Sequence, residues 1–289
     1  MAGKRETDVI SGTETTGHEW DGIKELNTPL PRWWLWTFYA SIVWAFGYWI
    51  VMPAWPLITG YTHGVIGYSS RASVAERLQE ARAAQSGYVN RINASTLEEI
   101  RADPELLEFA IAGGRSAFAV NCSQCHGQGA AGAPGYPNLN DDEWLWGGTL
   151  EEISATITHG ARSGDPDAHV GDMPAFVRDD ILTRDQASDV AEYVLSLSGS
   201  STNPDAAKRG AKVFEEQCVA CHQEGGTGNK EVGAPDLANK IWLYGGDKAT
   251  IMTTIENGWH GVMPAWGGRL SKATIKELTV YVYSLGGGQ

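Results

Sequence analysis

Four cysteines occur in the 289-residue chain, and all four belong to one motif used twice: Cys122, Cys125 and His126, then Cys218, Cys221 and His222. Cys-x-x-Cys-His is the attachment pattern of c-type haem. Two thiols three positions apart reach the two vinyl groups on one porphyrin edge, and the adjacent imidazole ligates the iron from the proximal side. A thioredoxin-like redox pair would account for one such motif alone, and a structural zinc site wants four closed Cys/His ligands. Repetition at matching places disfavours both. No cysteine remains for a structural disulfide.

The opposite face of the iron needs a second donor. Met173 and Met263 stand in Met-Pro-Ala-aromatic motifs, and of the five methionines they alone repeat. A thioether opposite an imidazole raises the reduction potential and closes the iron to small molecules, which suits electron transfer. A methionine can also simply fill a core. His169 and His260 lie just before these methionines and are the competing donors, whereas His159, His18 and His63 have no repeated partner. Sequence order pairs Met173 with the haem of His126 and Met263 with that of His222, and exchange between the copies stays open. The expected sites are Cys122, Cys125, Cys218 and Cys221 for two covalently attached haem c groups, with His126, Met173, His222 and Met263 as axial iron ligands. No catalytic residue is expected.

These residues sit in an internal duplication. Phe118 and the first motif recur 96 residues later with Phe214 and the second. Pro137-Asn138-Leu139 recurs as Pro235-Asp236-Leu237, Trp144 to Gly148 as Trp242 to Gly246, and Tyr193-Val194 as Tyr281-Val282. Residues 198–204 read as the hinge between copies. Helix-like patterns surround each cysteine pair, follow each Trp motif and close each copy, and no strong strand pattern is present. With so few core aliphatics per copy, a covalent cofactor would act as the staple.

Upstream, Trp33 to Trp55 carries no charge. As a helix these 23 residues rise about 34 Å, enough to cross a hydrocarbon core of about 30 Å. Tryptophans at both ends suit the two interfaces, and Pro53 and Pro56 should end the helix. A signal peptide would begin nearer the N-terminus and be shorter. Lys24 and Arg32 on the near side lean toward a cytoplasmic N-terminus, although six acids among the first 32 residues weaken that bias. Residues 1–20 read as polar and mobile. Further on, Ser73 with Glu76 and Thr96 with Glu99 fit capping boxes, Asp103-Pro104-Glu105 fits a helix start, and Gly113-Gly114 reads as punctuation.

The expected architecture is mainly α: a cytoplasmic segment 1–32, a transmembrane anchor 33–56, a periplasmic helical linker 57–112, and two tandem class I cytochrome c domains, 113–199 and 203–289. The net charge of −13 and the absence of a basic stripe exclude nucleic acid as a partner. From Arg71 onward 18 basic residues face 29 acidic ones. Such a surface keeps a protein soluble, and it would also steer the chain toward a basic partner.

The stretch from Asp21 to Pro56, DGIKELNTPLPRWWLWTFYASIVWAFGYWIVMPAWP, resembles the N-terminal anchor of the CcoP/FixP family. That family is the dihaem subunit III of cbb(3)-type cytochrome c oxidases, and the resemblance continues through both haem motifs without departure at the ligands. It implies a single-pass protein of the bacterial inner membrane, held in lipid by its anchor, with the haem domains in the periplasm. Electrons would come in from a cytochrome c or the bc complex. They would pass to the monohaem cytochrome c subunit and on to the catalytic haem-copper subunit, where oxygen reduction and proton pumping belong. The rival readings are a dihaem carrier for another respiratory enzyme and a dihaem peroxidase. The repeated methionines argue against the latter.

Overall fold

The computed structural model describes residues 5–286; Lys4 and the last three positions of the expected second domain lie outside them. Two compact units divide between Ala84 and Gln85. In the first, β1 (Thr15–Trp20) and β2 (Ile23–Leu26) form an antiparallel hairpin with Trp20 opposite Ile23. Asp21 (φ 49°) and Gly22 (φ 85°) take the left-handed conformations of the tight turn that Asp-Gly favours. Residues 15–20, expected to be polar and mobile, form the first strand of this hairpin, because the turn signal just beyond them pairs them with β2. α1 (Arg32–Val51) follows, with none of its 20 residues buried. It is the one helix among the described residues long and apolar enough to cross a membrane. It ends short of the expected stretch because Pro53 drives Met52 out of the helical region, to φ −108° and ψ 161°. A short ribbon of β3 (Pro56–Leu57) and β4 (Gly60–Tyr61) comes next.

α2 (Ser70–Ala94) starts one turn before the expected Ser73 box: Ser69 Oγ accepts from the Ala72 amide at 3.3 Å, and Ser73 lies inside the helix. The Thr96–Glu99 box does open α3 (Leu97–Ala102). Asp103 accepts from the Glu105 and Leu106 amides and caps α4 (Pro104–Asn121). Gly113-Gly114 does not stop α4. These glycines admit α11 (Lys272–Tyr283), since a Cβ on Gly114 would strike the Glu277 carbonyl and the Tyr281 side chain. Ile92, Ile100, Leu106 and Ala110 close a core with Ala273 and Val280.

The remaining helices are α5 (Ser123–His126), α6 (Leu150–His159), α7 (Arg184–Leu197), α8 (Pro204–Gln217), α9 (Val219–His222) and α10 (Lys248–Asn257). α4 packs on α11, and α7 on α8, so the long helices pair across the two copies. Gly210 receives the Asp189 carbonyl of α7 as Gly114 receives that of Glu277. The cause is local. Six residues connect α7 to α8, and elements joined so closely pack together. Buried Glu192 fixes the connection, accepting from Ser201 Oγ (2.7 Å), the Thr202 and Asn203 amides (3.2 Å each) and Lys248 Nζ (2.9 Å). The Ser201 hydroxyl and Lys248 lead in holding its carboxyl down to about 2. Asp189 likewise takes two bonds from Arg209, at 2.7 and 2.6 Å. Its counterpart in the second copy, Glu277, faces Gly113 instead, and burial pushes its carboxyl up to about 7.

The two carboxylates should therefore respond to pH with opposite sign. A depressed folded value stabilises above the ordinary carboxylate range and is lost as pH falls. Denaturant titrations of the haem-loaded chain should show Glu192→Gln roughly 3 kcal/mol less stable than the parent near pH 6, the gap closing toward pH 2. A raised folded value stabilises at low pH and is lost as pH rises through about 7. Glu277→Gln should match the parent near pH 4 and exceed it by about 1–3 kcal/mol at pH 8.

Candidate haem-attachment sites

The last turn of α4 delivers the first motif. Cys122 closes on the Phe118 carbonyl at 2.9 Å, and one further turn, α5, brings the Cys125 and His126 amides to the Cys122 carbonyl at 3.1 and 3.0 Å. Gly127, at φ 77°, ends the turn. His126 Nδ1 lies 3.0 Å from the Pro137 carbonyl, and His222 Nδ1 the same distance from that of Pro235. A carbonyl only accepts, so each Nδ1 carries the proton and each Nε2 keeps its lone pair for a metal. Burial lowers both imidazole pKa values and holds the rings neutral, as a ligand must be. Burial, with a smaller push from the neighbouring cysteine, raises the Cys122 and Cys218 thiols to about 11, while Cys125 and Cys221 stay exposed.

The methionines arrive from across the duplication. Met263 packs with Cys122 and Trp144 on the core of Phe118, Ile153, Ile157 and Leu278. Met173 packs with Cys218 and Trp242 on the core of Val190, Val194, Phe214 and Ile251. The in-order pairing of Met173 with His126 and Met263 with His222 is not the packing found. Once α7 is committed to α8, the segment from Met173 to Leu182 that leads into α7 packs on the core of the second cysteine pair, and α11 is left to cover the first. Backbone bonds lock the exchange: Ala161 and Met263 donate to each other's carbonyl at 3.0 Å, and Met173 forms a bridge with Trp259. Gly160 and Gly258, at φ 74° and 67°, stand where any Cβ would meet the Met263 or Met173 carbonyl.

Sequence reasoning missed Arg162. In a left-handed conformation (φ 53°), it donates from Nε to the Gly261 carbonyl and from Nη1 to the Gly171 carbonyl, with its guanidinium 5.7 Å from the Trp146 ring centre. It thus ties together the two loops that lead into the methionines. In the repeat it stands opposite His260, so the duplication itself offered no signal. The competing histidines have other partners. His169 stacks on Trp146 at 4.5 Å with Nε2 2.9 Å from Thr156 Oγ1. His260 Nδ1 lies 3.1 Å from Asp172, and His159 Nδ1 lies 3.0 Å from Asp165. The donor set of each motif fits a covalent haem: one thiol and a thioether packed on the same apolar core, a second thiol exposed beside them, and a neutral imidazole whose Nε2 keeps its lone pair.

A family model described as the N-terminal domain of cytochrome oxidase-cbb3, FixP, matches residues 12–59. A cytochrome c model matches residues 111–198, and one for cytochrome c oxidase, cbb3-type, subunit III matches residues 205–282. The chain is 59% identical to the cbb3-type cytochrome c oxidase subunit FixP of Azorhizobium caulinodans, over 98% of this chain and 96% of that one. It is 56% identical to the FixP subunit of Bradyrhizobium diazoefficiens over the whole of both chains. The chain belongs to the FixP/CcoP family. The CcoP subunit of Azospirillum brasilense, 53% identical over 99% of both chains, is a further relative. The FixP/CcoP architecture is mainly α, as expected from the sequence: an N-terminal membrane helix, then two cytochrome c domains in tandem along the chain.

Removing the tie between the methionine loops should loosen both cores. Arg162→Ala is expected to cost about 1–3 kcal/mol in denaturant unfolding of the haem-loaded chain. Arg162→Lys should recover little, because one ammonium cannot span both carbonyls and lie on Trp146.

Proposed function

We propose that this chain carries two covalent haem c groups and uses them to relay single electrons from a periplasmic donor into the rest of its oxidase. It is a membrane-anchored electron-transfer subunit of a cbb3-type cytochrome c oxidase. The observation that carries the two-haem reading is the duplicated turn, in which each Cys-x-x-Cys-His imidazole is bonded through Nδ1 to a proline carbonyl and the first cysteine packs on one core with a methionine. Bound there, haem supplies a one-electron iron couple. The protein's residues do the rest. Cys122 with Cys125, and Cys218 with Cys221, fix the porphyrin edges, and His126 and His222 offer Nε2 in a set orientation. Met263 would serve the haem of His126 and Met173 that of His222, each offering its thioether to the iron and keeping small molecules off it.

Lys24 and Arg32 on one side of α1, and attachment of c-type haem outside the cytoplasm, support an N-terminus inside and haem domains in the periplasm. The acidic surface suits a basic donor, such as a cytochrome c or the bc complex. The monohaem and catalytic haem-copper subunits are the acceptors in turn.

The mature polypeptide should weigh the chain plus two haems by mass spectrometry, and a single addition would sink the two-haem reading. The crossed ligation has its own test. In the full chain in detergent, the shifted ε-methyl NMR signal lost in Met263→Leu should show cross-relaxation to the haem joined to Cys122 and Cys125. Cross-relaxation to the haem of Cys218 and Cys221 would restore the in-order pairing.

A further inference from the structure

The charge-free run of the sequence is longer than the helix that uses it. No Asp, Glu, Lys or Arg occurs from Trp33 to Ser70, yet α1 ends at Val51, having already risen about 30 Å, the thickness of a hydrocarbon core. The residues that follow fold back on the end of that helix. Val65 donates its amide to the Ile50 carbonyl at 3.0 Å and Ile66 to that of Val51 at 3.4 Å. Two carbonyls that a helix end leaves without partners are thereby met by the chain's own backbone. Gly64, at φ 70°, lies against the Val51 carbonyl where a Cβ would collide.

The rest of the loop is closed in the same manner. Thr62 Oγ1 accepts from the Ala54 and Trp55 amides at 3.3 and 3.0 Å, and the Thr62 amide donates to the Trp55 carbonyl at 2.9 Å. Beyond that clasp β3 pairs with β4, and Trp55 sits edge-on to Trp49 of α1, with ring centres 4.8 Å apart. What faces outward is mainly apolar, with Thr59 and His63 the polar side chains exposed among it. Leu57, Tyr61, Val65 and Ile66 are exposed, and Ile58 at the ribbon's tip is fully so. Backbone groups paired internally beneath outward aliphatic side chains are what lipid requires and water does not.

We propose that residues 53–68 form a collar in the headgroup–acyl boundary of the leaflet at the C-terminal end of α1, with Leu57 and Ile58 dipped into the acyl region. The occupant of the apolar face is phospholipid. The collar is continuous with the spanning helix, contributes Trp55 and Tyr61 of the aromatic types that favour that depth, and meets its first charge only at Arg71. This inference rests on α1 being the membrane anchor.

The test places a photoreactive diazirine side chain at Ile58 in the full, haem-loaded chain in its native membrane, with companions at Val43 in mid-helix and at Glu80 on α2. Irradiation should add the mass of a phospholipid at positions 43 and 58 and not at 80. Lipid at 43 with a polypeptide or only water captured at 58 overturns the collar and leaves the anchor standing. Absence of lipid at 43 removes the anchor itself. If the change at Ile58 prevents accumulation, Tyr61 or Val65 gives the same readout.

Discussion

A connection of six residues between α7 and α8 decides which half of the duplicated chain closes over which cysteine pair. Glu192, buried and satisfied by Ser201, Thr202, Asn203 and Lys248, holds that connection in one shape. With α7 drawn onto α8 at Gly210, Tyr193 comes to lie 4.9 Å from Phe214. α4 then takes α11 at Gly114, and Tyr281 comes within 5.5 Å of Phe118. The two crossings are equivalent, but each is built from one helix of either copy. Burying an aromatic such as Phe118 or Phe214 is worth about 1.5–3 kcal/mol. The exchange therefore places much of each copy's stability in the keeping of the other.

What was legible in the sequence was what covalent chemistry makes non-negotiable. Two thiols and an imidazole have to be adjacent, and a membrane span has to be long and free of charge, so these features survive in the residues themselves. The pairing of methionines was not legible, because Met173 and Met263 suit either pocket by type and only the length of the hinge tells them apart. Gly113-Gly114 was read as a stop because glycine's role in close helix approach needs a partner helix that the local sequence does not reveal. The Asp21-Gly22 hairpin was missed for the opposite reason: a strong local signal was overruled by polar composition. Arg162 stood in a position where the repeat has histidine, and comparing the copies hid it.

The copies match in their donors and differ around them. Pro137 and Pro235 carbonyls orient His126 and His222 alike, at 3.0 Å each. Beside one helix crossing, however, Asp189 is paired with Arg209, and beside the other Glu277 faces a glycine. Charge near a redox centre tunes its potential. Duplicated donor sets in unequal surroundings would make the two proposed haems related but distinguishable, which is what a directional relay requires.

The crossed packing also imposes an order on biogenesis. Cys122 precedes Met263 by 141 residues, and both haem-attachment motifs lie between the chain's start and that methionine. Were the domains to cross the membrane in chain order behind the anchor, the first attachment motif would emerge long before the side chain that packs over it. The first pocket would then wait, open on one face, until the final helix had emerged, whereas the second would close with a methionine already across.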